Sequence, residues 1–328
     1  MRSSTSNSET RTALWAVKFL LGTVTVVVLA MELGARYLVP LVSWNTRRFH
    51  TECSDVIGIR KNTKTADSGI LLLGNSLTYT DIDLDILNKA LEPTGQVHRW
   101  AIDNTNYLDW YYGLRRIFRS GARPRFVIIG ARTNHLLARH VRGRFFAHYI
   151  MEWNDLSDAS SRTGANLTEL STMAVARSSA FYGSREEIFK RCVTLLLPRF
   201  PELGRLMGLG RRGGKHLDAS ALLMDRLIEV RNLCANHGAQ LVIWIPVTSD
   251  GDPLGDLAVQ AGRKVNLPVL VPGRQSAWTT ADFADGFHMT ATASKRFTSM
   301  FAKELQLALD HVGFAESLDT VKDLSSAK

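Results

Sequence analysis

Residues 69–80 read Gly69-Ile70-Leu71-Leu72-Leu73-Gly74-Asn75-Ser76-Leu77-Thr78-Tyr79-Thr80, and the fold turns on how this stretch is interpreted. Ile70 to Leu73 are apolar without alternation, the pattern of a strand covered on both faces in a parallel sheet. Gly74-Asn75-Ser76 breaks the run, and Thr80-Asp81-Ile82 opens a helix. Ser76 is thereby placed at the carboxyl end of a strand, where open α/β sheets carry their sites. About two hundred residues later comes Asp282-Phe283-Ala284-Asp285-Gly286-Phe287-His288. An acid and a histidine three apart, just before a terminal helix, can supply the base that a serine hydroxyl needs.

Outward from the first stretch the pattern alternates strand and helix. A helix over 82–91 ends before Pro93, and strand two covers Gln96–Ile102. An aromatic helix from Tyr107 to Ser120 ends at Gly121, and strand three, Arg125–Gly130, is again a continuous apolar run. Residues 131–216 break the alternation and include the Gly- and Arg-rich piece Gly208–Gly214, so they are expected to form an insertion with some helices. A helix over Leu217–Asn236, strand four over Gln240–Val247, a short helix near Leu254–Gly262 and strand five over Pro268–Val271 follow. Thr290 is the expected N-cap of a last helix reaching about His311. Five strands joined by helices imply a parallel sheet with helices on both faces.

The blocks Gly74-Asn75-Ser76-Leu77-Thr78 and Asp285-Gly286-Phe287-His288, in that order, resemble the SGNH (GDSL-type) hydrolases over roughly residues 66–310. The resemblance implies a three-layer α/β/α, flavodoxin-like fold with strand order 2-1-3-4-5. The residues themselves point to Ser76 as nucleophile, His288 as its base and Asp285 as the group that orients the imidazole. Asp282 is a rival acid, six residues from His288, and the tighter spacing favours Asp285. An oxyanion hole would begin with the backbone N–H of Ser76. In the family a glycine after strand two and an asparagine after strand three supply the other donors. Here the first segment, Ala101-Ile102-Asp103-Asn104-Thr105-Asn106, has no glycine, and the second reads Gly130-Ala131-Arg132-Thr133-Asn134 instead of Gly-x-Asn-Asp. Asn104 and Asn134 are the candidates for those places, the first by substitution and the second by a shift. Arg132 and Asn75 are the candidate substrate-binding residues.

The 328 residues are 45% hydrophobic and 22% charged, values of a globular chain with a substantial core. Residues 1–12 read as a disordered tail, 13–42 as a transmembrane anchor, 43–68 as a connector, 69–312 as the α/β domain and 313–328 as a C-terminal tail. The uncharged part of the anchor runs from Phe19 to Met31, with Lys18 able to snorkel and Trp15 and Tyr37 placed as interfacial aromatics. A cleaved signal peptide and a buried helix are the alternatives, but no Ala-x-Ala cleavage site is evident. Basic residues flank both ends, so charge does not set the orientation. The resemblance places the domain on the periplasmic or extracytoplasmic side of the inner membrane.

Cys53, Cys192 and Cys234 are odd in number and widely spaced, which offers neither a disulfide framework nor a zinc site. Walker and His-Glu-x-x-His patterns are absent, and neither a metal nor an organic cofactor is implied. The net charge is +9, and nine arginines with no acid lie between Trp110 and Met151. They form either a solvated face or an electropositive rim that would attract anionic glycans, lipid headgroups or an acidic partner; nucleic acid is not an expected partner. The expected function is that of a serine esterase or O-acyltransferase, and the resemblance implies acetyl esters of envelope or extracellular polysaccharide as its substrates. A non-catalytic scaffold of an envelope polysaccharide or lipid machinery is the alternative.

Overall fold

The computed structural model describes residues 6–59, 69–196, 219–273 and 277–326. In chain order the elements are α1 (Ser6–Val42), α2 (Trp44–Ile57), β1 (Gly69–Gly74), α3 (Ser76–Thr80), α4 (Leu84–Leu91), β2 (Gln96–Ala101), α5 (Tyr107–Arg119) and β3 (Phe126–Gly130). Then come α6 (Thr133–Leu137), α7 (Arg144–Tyr149), α8 (Trp153–Thr163), α9 (Leu167–Ser178), α10 (Ala180–Leu196) and α11 (Ala219–Ala235). The chain continues with β4 (Gln240–Trp244), α12 (Gly255–Lys264), β5 (Val269–Leu270) and α13 (Ala291–Ser326).

The five strands form one parallel sheet in the order β2-β1-β3-β4-β5. Its central strands β1 and β3 carry no polar side chain, and β4 only Gln240 at its start, because both faces are covered. Ile70, Leu72, Phe126, Ile128, Val242 and Trp244 pack with Leu87 of α4 and with Phe297 and Phe301 of α13. Their alternates, Leu71, Leu73, Val127, Ile129, Leu241 and Ile243, pack with Leu114 of α5, Leu227 of α11 and Ala258 of α12. Truncating one of these leucines to alanine is worth about 2–5 kcal/mol in such a core. The edge strand β2 is covered by α2, whose Glu52 accepts the Ala101 N–H at 2.8 Å and pairs with Arg99 at 3.4 Å. A carboxylate is thus spent on an otherwise open edge donor.

Helix α1 contains the one segment among the described residues long and apolar enough to cross a membrane, Arg11–Val42. Its side chains are exposed from Arg11 to Met31, and contact with the rest of the protein begins at Glu32. At 1.5 Å per residue the bare stretch from Ala13 to Met31 spans about 28 Å, close to a bilayer's hydrocarbon core. Glu32 then accepts hydrogen bonds from the Ser179 hydroxyl (2.8 Å) and from the N–H groups of Ala180 (2.6 Å) and Phe181 (3.2 Å), capping α10. Ala35 and Val39 pack on Ala180 one and two turns further on. A buried polar chain continues inward. Ser43 donates to Glu187 (3.1 Å), Glu187 pairs with Arg142 (3.2 Å), and the Arg142 N–H reaches Asp109 (2.7 Å). Asp109 also accepts the Asn106 N–H at 2.9 Å, which ties this chain to the loop after β2.

Several boundaries differ from the sequence reading. Residues 6–12, expected as part of a disordered tail, extend α1. The expected connector carries α2, whose N-cap Ser43 accepts the Thr46 N–H. The last helix runs through the expected C-terminal tail to Ser326. The insertion is helical, α6 to α10, as far as 196, and its Gly208–Gly214 piece lies outside the described residues.

Candidate active site

The elbow after β1 is shaped by two glycines. Gly74 and Gly130 are register partners at the carboxyl ends of β1 and β3. Thr78 of α3 tucks between them: a Cβ on Gly74 would lie 1.9 Å from its Oγ1, and one on Gly130 would lie 2.4 Å from it. Only residues without a side chain allow α3 to begin this close to the sheet. Asn75 caps the turn, accepting the Leu77 N–H at 3.1 Å. Its amide group donates to Thr105 O (3.5 Å) and to Nδ1 of His135 (3.0 Å). Asn75 is buried, and these hydrogen bonds build the elbow.

Ser76, the first residue of α3, is partly exposed at the sheet edge. Its Oγ lies 3.0 Å from Nε2 of His288, across 212 residues of chain. The opposite ring nitrogen, Nδ1, is 2.8 Å from Oδ2 of Asp285. Oδ1 of the same carboxylate accepts the N–H groups of Phe287 (3.0 Å) and His288 (2.7 Å), made possible by the left-handed turn at Gly286 (φ 77°). Partial burial alone would push the Asp285 carboxyl up. The hydrogen bonds from the His288 N–H, the His288 ring and the Phe287 N–H outweigh it and hold the carboxyl down at about 2. Asp282 is occupied elsewhere, capping Thr279 N (2.8 Å) and pairing with Arg296 (2.9 Å), which leaves Asp285 as the partner of the imidazole. The segment is closed on itself by Ala284 N–H to His288 O (2.8 Å) and Thr290 N–H to Asp282 O (2.8 Å).

The two asparagines expected near this site are placed differently from one another. Asn104 has a left-handed backbone (φ 59°), the conformation a glycine adopts most readily, and its neighbour Thr105 bonds Gly74 O through its hydroxyl at 3.3 Å. The loop therefore lies directly against the elbow. Asn134 is exposed on α6. The buried side chain after β3 is that of Arg132, which donates to Asp250 (3.3 Å) and Gly251 O (2.6 Å) and sits 5.4 Å from the Phe287 ring centroid. Arg132 and Ser76 each lie two residues past the paired glycines, so both leave the sheet at the same edge. Residues 249–251 join this edge to a cavity of about 310 Å³ lined by Ile245, Pro246, Val247 and Val271. Ser249 also bonds the Gly286 carbonyl.

The other arginines of the 115–144 stretch are largely internal ties. Arg115 and Arg119 pair with Asp155 at 3.1 Å each, Arg142 with Glu187 and Arg144 with Glu186, while Arg123 bonds the carbonyls of Phe118 and Ala122. The acids come from 152–187, outside the acid-free window that made the stretch stand out.

Asp81 and His135 lie at the site without having been singled out in the sequence. A buried acid five residues after Ser76 carries no local signal, because its burial depends on the distant His288 segment. The fold and this constellation define an α/β protein with an N-terminal helix long and apolar enough to cross a membrane and a Ser–His–Asp arrangement at the carboxyl edge of its sheet. No family model matches the chain, and no curated protein matches it.

Proposed function

We propose that this chain is a membrane-anchored serine ester hydrolase or O-acyltransferase of the SGNH type. Its substrates would be ester-linked acyl groups, acetyl foremost, on envelope or extracellular glycans. The observation that carries this reading is the continuous Ser76–His288–Asp285 hydrogen-bond line, 3.0 and 2.8 Å long, assembled from opposite ends of the domain. In this reading the Ser76 hydroxyl attacks the ester carbonyl while Nε2 of His288 takes its proton. The imidazolium, stabilised by Asp285, then protonates the departing alcohol and leaves an acyl ester on Ser76. Water or a sugar hydroxyl, deprotonated by the same imidazole, releases the acyl group and restores the serine. The Ser76 N–H and the Asn104 turn are the proposed oxyanion donors. Arg132, which leaves the sheet at the same end as the serine, would meet an anionic group on the substrate. The anchor belongs in the inner membrane with the α/β domain on its periplasmic side, where such glycans are found.

Full-length protein in detergent, given p-nitrophenyl acetate, tests this. Hydrolysis that disappears in Ser76→Ala, with a fluorophosphonate label mapped to Ser76, supports the enzyme. Equal rates in both proteins, with no label, refute it. One observation favours a non-catalytic scaffold as the second reading: Asn134, the asparagine expected as a donor after β3, is exposed on α6. Supplying an oligosaccharide acceptor and weighing the product separates transferase from hydrolase.

A further inference from the structure

Asp81 closes α3, five residues beyond Ser76, and is 1% exposed. Its Oδ1 accepts the Met289 N–H at 2.9 Å and the Thr80 hydroxyl at 2.9 Å, while Oδ2 is buried without a hydrogen-bond partner among the described residues. Thr298 of α13 bonds the Asp81 carbonyl at 3.4 Å and receives the Asp83 N–H at 2.9 Å, so the backbone here is pinned from a second side. Met289 directly follows His288. The Asp81–Met289 bond therefore links the helix that begins with the serine to the strand of chain that delivers the imidazole. The neighbouring charges that act on Asp81 are His288 and Asp285, both from that chain segment.

We propose that Asp81 is a positioning residue for the triad: its carboxyl oxygen holds the His288 segment against α3 and so sets the distance between the imidazole and Ser76. The role needs an acceptor oxygen, not a charge. Burial favours the neutral acid, pushing its carboxyl up to about 7 against the opposing Met289 and Thr80 hydrogen bonds. An asparagine, whose amide oxygen can take both bonds, preserves that geometry; an alanine removes it. Small displacements of a catalytic base are expensive in rate, on the order of a hundredfold for about 1 Å.

The inference rests on the triad reading, so its test uses one measurement that needs catalysis and one that does not. In full-length protein, Asp81→Ala is expected to lower kcat for p-nitrophenyl acetate by roughly ten- to a hundredfold with KM little changed, and Asp81→Asn to restore most of it. Independently, carbethoxylation of His288 by diethylpyrocarbonate, followed by mass spectrometry of its peptide, is expected to quicken severalfold in the alanine variant only. If Asp81→Ala is insoluble, the asparagine variant still decides: His288 as reactive as in a heat-loosened wild type overturns the proposal. Alanine indistinguishable from wild type in both measurements, or asparagine as impaired as alanine, also overturns it. A wild type with no Ser76-dependent activity refutes the enzyme reading alone, and the carbethoxylation arm still tests the positioning.

Discussion

Replacing Asp285 by asparagine separates what the two carboxylate oxygens do. Oδ1 takes the N–H groups of Phe287 and His288, and Oδ2 takes Nδ1 of the ring. An asparagine placed there keeps its oxygen on the two N–H groups and turns its NH₂ toward Nδ1. The loop is retained, but Nδ1 must now accept, which puts the ring proton on Nε2, facing Ser76 Oγ at 3.0 Å. An imidazole in that tautomer cannot take the serine proton. In a comparable triad this change costs about ten-thousandfold in kcat. The stability cost is much smaller. A shift from 3.8 to about 2 corresponds to at most about 2 kcal/mol, and with the side chain 48% exposed a figure of ~1 kcal/mol or less is expected after screening. In a domain of this size that is a Tm change of at most about 2–4 °C. The assay is steady-state p-nitrophenyl acetate hydrolysis beside thermal unfolding. A variant retaining activity within tenfold of wild type, with Tm preserved, would show that the imidazole does not act through the Asp285 contact.

The buried Asp81 gives a pH signature of the opposite sign. Its carboxyl is raised from 3.8 to about 7 in the folded state, so folding favours the protonated form. The stability this group contributes is full below about 4 and is lost as pH rises to about 7, by up to ~4 kcal/mol. Asp81→Asn is therefore expected to match wild type in Tm near pH 4 and to exceed it at pH 8; a difference independent of pH would refute the assignment. Gly74→Ala should destabilise by about 1–3 kcal/mol and abolish fluorophosphonate labelling, because a Cβ there would lie 1.9 Å from Thr78 Oγ1 and 2.9 Å from Gly130 O. Wild-type labelling with unchanged Tm would show that the elbow has room. Glu32→Ala removes the cap of α10, worth about 1–2 kcal/mol. Faster amide exchange at 180–183 in detergent micelles is the expected result, and unchanged exchange counts against the docking of α1 on the insertion.

The strands were legible in the sequence because their cause is local. Ile70–Leu73 and Phe126–Ile129 are uninterrupted because both faces of the sheet are covered, and a run of consecutive apolar residues records that directly. The Asp285–His288 pairing was legible for the same reason: an Asp-Gly turn brings a carboxylate onto a ring three residues away. Asn104 adopts a left-handed backbone, which asparagine tolerates better than most residues.

What only the tertiary structure decided depends on partners far apart in sequence. Ser76 meets His288 because α13 packs against the face of the sheet that β1 shares, and no local pattern encodes that distance. Asn75 turns inward because Thr105 and His135 are there to receive it. Asn134 faces solvent because α6 begins at Thr133, whose N–H is capped by the distant Asp252 at 2.6 Å. The arginine stretch looks unbalanced in sequence, but four of its arginines, Arg115, Arg119, Arg142 and Arg144, pair in space with acids of the insertion. Periodicity and backbone preference act over a few residues, so they write secondary structure into the sequence. Burial and charge pairing are summed over the whole packed chain, so the site's geometry appears only when the chain is folded.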